Sequence, residues 1–290
     1  MVQIHRSAPF TYNNIKERSQ MEELWKGALA PQTDVRDYKV CAAAGEEFPA
    51  RFELLNLPRV KNQGNVNSCV AHATAAILEY FNRKEIKDNR QLSTDFIYGM
   101  QGVAYNRLDQ GMYLRDACKI ALDYGDCYDV TIPSNTEQPR CTKMLKEILT
   151  EDIYTEARNM RVASYARCSN EKAMKHALMN YGPLLVSIKW YDKYSIDNDK
   201  VINFDTKSTY GYHAVLVYGW NEKGWLCQNS WGSTWKGNGK FIFPNSSNFR
   251  EAWSFVDADN SDIIKPYRGK FIDFCYKIIN TIANFFRGRK

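Results

Sequence analysis

A chain of 290 residues, 44% hydrophobic and 25% charged, has the composition of an ordinary globular protein, with enough material for one large core or two packed lobes. No run approaches the roughly 18 apolar residues needed to span a bilayer. The net charge of +6 sits at one end: Lys265–Lys290 holds seven basic residues against Asp273 alone, so residues 1–264 sum to zero and a body-wide nucleic-acid surface is not expected. Eight cysteines without a CxxC pair, and four histidines, give little support to a structural zinc site. No metal or organic cofactor is implied.

In chain order, Met1–Asn14 lacks the apolar core of a secretory signal. The chain is therefore read as already matured, or as intracellular or virion-packaged, with free thiols as the default and disulfides permitted by the even count. Asn14–Ala30 reads as one amphipathic helix, with Ser19 and Glu22 spaced as a capping box and Pro31 stopping it. A polar stretch then leads to Phe48, so residues 1–47 form a separable extension. A helix is expected from Cys69 to about Lys84, capped by Ser68 or Asn67, with Val70, Ala73, Ile77 and Phe81 at helical spacing. Leu92–Gln101 and Tyr113–Asp123 are further helices. After about residue 160 the character changes. Pro183–Trp190, Gly211–Gly219, Trp225–Ser230 and Lys240–Phe243 are short, β-rich and bounded by glycine or proline. Mainly helical first and mainly antiparallel strand second, the chain is an α+β protein in two lobes. Lys270–Phe286 carries Phe271, Ile272, Ile278, Ile282 and Phe286 on one helical face, for packing on the body, a membrane surface or a partner.

Cys69 opens a helix. A thiol there faces unpaired N–H groups and the positive end of the helix dipole, which favour the thiolate. The same N–H groups can stabilise the oxyanion formed when a thiolate attacks a carbonyl. A buried, inert cysteine is the plainer alternative. His213 and Asn229 argue against it. Their strands are joined by Trp220-Asn221-Glu222-Lys223-Gly224, a hairpin turn by composition, and the midpoint of 213 and 229 is 221. The two side chains should therefore lie opposite or diagonal to one another. The Asn amide oxygen can hold one imidazole nitrogen and leave the other to exchange a proton with sulfur.

Val60-Lys61-Asn62-Gln63-Gly64 through Ser68-Cys69, then Gly211-Tyr212-His213-Ala214-Val215, then Gln228-Asn229-Ser230-Trp231-Gly232 through Gly239 resemble the three signature blocks of papain-family cysteine peptidases, in the family's order. Cys69 and His213 are 144 residues apart, within the family's spacing. The resemblance spans roughly 48–256 and implies a helical left lobe (about 48–160), a strand-rich right lobe (about 161–256) and an active cleft between them. It implies that Cys69 is the nucleophile, His213 the acid and base, and Asn229 the orienting group. Gln63 would donate to the oxyanion beside the Cys69 N–H, Trp231 would shield the His213–Asn229 bond, and Trp235 would line the leaving-group side. Gly111 would meet substrate backbone, although Gln110 replaces a usual glycine there. Peptides or proteins are the implied substrates, with no nucleic-acid partner.

The pattern is departed from at Val66, where many relatives carry a disulfide cysteine, at Asn67, at Val70 and at His72, which replaces an aromatic. His72 lies three residues from Cys69 on the same face, for packing or for a role beside the thiol. Residues 1–47 are too short for the family's full prosegment, and by resemblance form a short inhibitory one crossing the cleft. Two other classes stay open: a different thiol acyl-transfer enzyme, transglutaminase- or amidase-like, and a non-catalytic binding protein of this fold.

Overall fold

A computed structural model describes residues 26–31, 34–107, 111–135, 142–244 and 249–257. Helix α1 (Cys69–Glu85) is its axis. Every residue from Cys69 to Phe81 is buried, so α1 is covered on all sides rather than along one stripe. Ala71, Ala75 and Ala76 explain this, because their small side chains let neighbours approach the faces that the Val70/Ala73/Ile77/Phe81 stripe leaves. Against it pack α2 (Thr94–Tyr105) and α3 (Leu114–Asp123), with α4 (Thr142–Ile148) on α2, and α5 (Glu151–Arg158) follows in the chain. Ser93 caps α2 by accepting from Phe96 N at 3.0 Å.

The second lobe is a sheet in the order β1 (Lys39–Val40), β3 (Val162–Cys168), β10 (Phe249–Asp257), β4 (Leu184–Tyr191), β7 (Tyr210–Asn221), β8 (Gly224–Gln228), β9 (Lys240–Phe243), with β2 (Phe52–Glu53) also on β7. All these pairs are antiparallel except β1 with β3. A small hairpin, β5 (Tyr194–Ile196) and β6 (Ile202–Phe204), stands off it, and α6 (Glu171–Asn180) packs on one face. Strand β7 is buried without a break from His213 to Trp220. Its Ala214, Leu216 and Tyr218 join the core around α1, while Val215, Val217 and Trp220 join the core of the second lobe. One strand thus serves two cores, and the two-lobed α+β architecture follows.

Two expectations need correcting. Of the helix read over Asn14–Ala30, residues 26–30 are extended: Ala28 makes a parallel bridge to Met112. Their N–H and C=O groups find partners across the cleft, which removes the need for helical ones. The hairpin register is also shifted. Leu216 faces Gln228 and Asn221 faces Gly224, with a bulge between Val217 and Gly219, so the turn centres nearer 222 than 221. Asn229 lies one residue beyond β8. Residues 14–25 of that first helix, and the whole of 270–286, fall outside the described residues.

Candidate active site

Cys69 is the first residue of α1. Ser68 is its N-cap but makes no side-chain cap bond. The Ser68 hydroxyl turns instead to His72 Nδ1 at 3.1 Å, and His72 also sits 3.0 Å from Ser68 O. Buried at 2% exposure, His72 packs beneath the start of α1, with burial pulling its pKa down to about 4. This is the packing role.

The Cys69 sulfur accepts from Ala214 N at 3.4 Å, so the helix start meets β7 at the residue after His213. His213 Nε2 and Asn229 Oδ1 are 2.7 Å apart, both residues buried. Trp231 stacks on the imidazole with centroids 4.5 Å apart and 28° between planes, closing that bond from one side. The indole of Trp235 stands edge-on to Trp231 at 5.3 Å and donates to Tyr194 OH at 3.3 Å. Gln63 is fully buried. Its Nε2 donates to Val66 O at 2.8 Å and its Oε1 accepts from Ser230 Oγ at 2.6 Å, while Gln63 N donates to Ser230 O. Behind it, Lys61 Nζ pairs with Glu79 Oε1 at 2.6 Å and donates to Leu92 O, so a buried charge pair ties the loop before Cys69 to α1.

Four residues from three distant stretches thus converge: Gln63 and Cys69, His213, and Asn229. A thiol at a helix start, an imidazole held at one nitrogen by an amide oxygen, and an adjacent carboxamide can carry out acyl transfer. Burial defines the state of the site. Cys69 and His213 both have no exposed surface. Burial pushes the thiol pKa up against the backbone N–H donors around it, and pulls His213 down to about 4 against its bond to Asn229. Burial thus favours the neutral thiol and the neutral imidazole.

What covers it is the segment 26–31, the strap. Gly27 N donates to the Cys69 sulfur at 3.3 Å. Gly27 O accepts from Met112 N at 2.7 Å, Leu29 N donates to Met112 O at 2.9 Å, and Ala28 N donates to Tyr212 O at 3.2 Å. Gly111, expected to meet substrate backbone, meets the strap: it has φ +100°, and a Cβ there would stand 2.5 Å from Gly27 O. Gly27 is as tightly placed, since a Cβ on it would come within 1.9 Å of Asn67 O. The helix read over 14–30 hid these contacts. The run of small residues Gly27-Ala28 followed by Ala30-Pro31 was the available signal, since a segment threaded past a backbone must be thin.

The two-lobed α+β fold is shared with solved cysteine proteases. Xylellain from Xylella fastidiosa superposes with a TM-score of 0.70 at 23% identity, covering 80% of this chain and 96% of that one. A procathepsin L 3 from Tenebrio molitor larval midgut gives 0.61 at 17% identity, covering 84% and 86%. In sequence, a cathepsin B-like cysteine proteinase of Ostertagia ostertagi is 28% identical over 116 residues, 39% of this chain and 63% of that protein. Mouse cathepsin K is 28% identical over 206 residues, 65% and 56% of the two chains, so these matches span about three fifths of the relatives' own length. The model of the papain family of cysteine proteases matches residues 45–253, and the chain belongs to that family.

Proposed function

We propose that the protein is a peptidase that hydrolyses peptide bonds through a thioester at Cys69, and that it is made in a form silenced by its own N-terminal segment. The observation that carries this reading is the junction of Cys69, His213, Asn229 and Gln63 between the lobes, already buried under a strap that blocks it. In the reaction, the Cys69 thiolate attacks the scissile carbonyl carbon. The Cys69 N–H and the Gln63 carboxamide stabilise the oxyanion, and His213 passes its proton to the leaving amine. His213 then takes a proton from water, which attacks the thioester and releases the acid. Asn229 holds His213 in place throughout, and Trp231 keeps water from their bond.

The strap supports the silenced state in two ways. It fills the cleft, and it presents an amide N–H to the sulfur where a substrate would present a carbonyl carbon. It also strips water from both reacting groups, which favours their neutral forms. Peptide or protein substrates follow from the family, whereas transglutaminase- or amidase-type chemistry gains no support from the relatives. The membrane or partner contact expected of residues 270–286 gains none either.

The test is hydrolysis of a panel of fluorogenic peptides by Gly27→Val, whose side chain would collide with Asn67 O and loosen the strap, and by the same chain also carrying Cys69→Ala or His213→Ala. Both double variants should fall to background. Full turnover in Cys69→Ala, with loss on mutating another cysteine, would refute the assignment.

A further inference from the structure

Beside the strap's contact with Cys69, its preceding residue occupies a built pocket. Lys26 Nζ forms an ion pair with the Asp192 carboxylate, and the Thr209 hydroxyl donates to the other carboxylate oxygen. Asp192 N donates to Thr209 O at 2.8 Å, so the carboxylate stands at a pinned corner where β4 ends and β7 begins. The lysine stem runs over Gly211: a Cβ there would lie 3.0 Å from Lys26 Cδ and 3.5 Å from Lys26 Cβ. The lysine side chain is 16% exposed, while Asp192 keeps 42% exposure even with its partner in place. An apolar stem on a glycine shelf with its charged head on a fixed carboxylate is how a long basic side chain is bound at a protein surface.

We propose that Asp192, Thr209 and Gly211 form a subsite for a lysine or arginine of the substrate, within the first two residues after the scissile bond, and that Lys26 fills it in the silenced form. The inference rests on the peptidase reading and deepens it. Direction comes from the strap: Ala28 and Leu29 pair with Tyr212 and Met112 on one side of Cys69, and Lys26 lies on the other side. That other side adjoins Trp235, which by resemblance lines the leaving-group side: Tyr194, two residues beyond Asp192, accepts from the Trp235 indole. Among the described residues Asp192 has no cationic partner besides Lys26. Removing the strap thus leaves a carboxylate whose nearest source of a counter-charge is the substrate. The strap and a substrate would compete for the same anchor.

The experiment uses the full chain carrying Gly27→Val to loosen the strap, with and without Asp192→Asn or Asp192→Lys. Peptides carry Lys, Ala or Glu at the first and second positions after the cleaved bond. For each enzyme the ratio of kcat/KM for Lys over Ala is taken, which cancels any difference in the fraction of open enzyme. A half-exposed ion pair predicts a preference of about three- to fivefold. It should vanish in Asp192→Asn and turn toward Glu in Asp192→Lys. Turnover with no Lys preference, or with one that survives both substitutions, overturns the subsite and leaves the peptidase reading standing. Protection of Cys69 from iodoacetamide by the same peptides gives a separate Lys over Ala ratio, for binding, that needs no turnover. Lys-dependent protection without hydrolysis would keep the subsite and sink the peptidase reading; protection indifferent to Lys would count against the subsite.

Discussion

His213 has one nitrogen bound to Asn229, while Nδ1 has no hydrogen bond among the described residues. On the proposed reading that free nitrogen is the one that exchanges a proton with sulfur, and Asn229 only steers it. Asn229→Ala should therefore retain measurable turnover, well above Cys69→Ala. On the same reading Gln63 differs, because a carboxamide that donates to developing charge acts in the transition state. Gln63→Ala should lower kcat by about 10²–10³ with a smaller change in KM. Steady-state kinetics separates the two, and a rise in KM alone would make Gln63 a ground-state contact. At this scale most of the site was legible in advance, because a helix-start cysteine and a His/Asn pair astride one hairpin are local patterns. Gly27, Lys26 and Asp192 were not. Their meaning depends on a long-range threading past Asn67 and Gly211, which no local spacing encodes.

Among the elements, α1 and β9 were read nearly to the residue, since each has its own start signal and a distinct apolar pattern. The errors have physical causes. The turn is set by Asn221 facing Gly224, and a midpoint taken between two residues that are diagonal rather than opposite places it too early. Asn229 still reaches His213, because a diagonal neighbour suffices for a side-chain bond. Strand β10 went unread although six of its residues in a row are buried, Glu251 to Val256. Its two faces serve two cores, so the alternation that marks a half-buried strand is missing. For the strap the cause is related: Lys26, Ala28, Leu29 and Ala30 have good helical propensity, Gly27 does not, and tertiary partners override the pattern.

Among the described residues, two buried histidines sit at the seam of the lobes. His72 and His213 are both held near pKa 4, against 6.5 when exposed. Between those values the unfolded chain binds more protons than the folded one, so their contribution to stability is complete above about pH 6.5 and is lost as pH falls toward 4. Burial raises the carboxyls of Asp126 and Glu251, which act with the opposite sign, so the comparison must be made within one background. His72→Gln removes one titrating group while keeping a hydrogen-bonding side chain. Denaturant unfolding at pH 7 and pH 5 should show the variant losing about 2 kcal/mol less than the parent. Equal losses would mean that His72 is protonated in the fold.

The central claim is that Cys69 is a nucleophile kept silent by the strap, and one labelling measurement tests both halves. A peptidyl epoxide is incubated with the parent and with Gly27→Val, whose side chain would collide with Asn67 O. The adduct is located by mass spectrometry as hydrolysis is followed. Loss of even 1.4 kcal/mol of strap affinity corresponds to a tenfold change. The account predicts one adduct, on Cys69, forming about tenfold or more faster in Gly27→Val, with peptide hydrolysis disappearing in step. An adduct on another cysteine, hydrolysis that survives full modification of Cys69, or equal rates in the two proteins would contradict it.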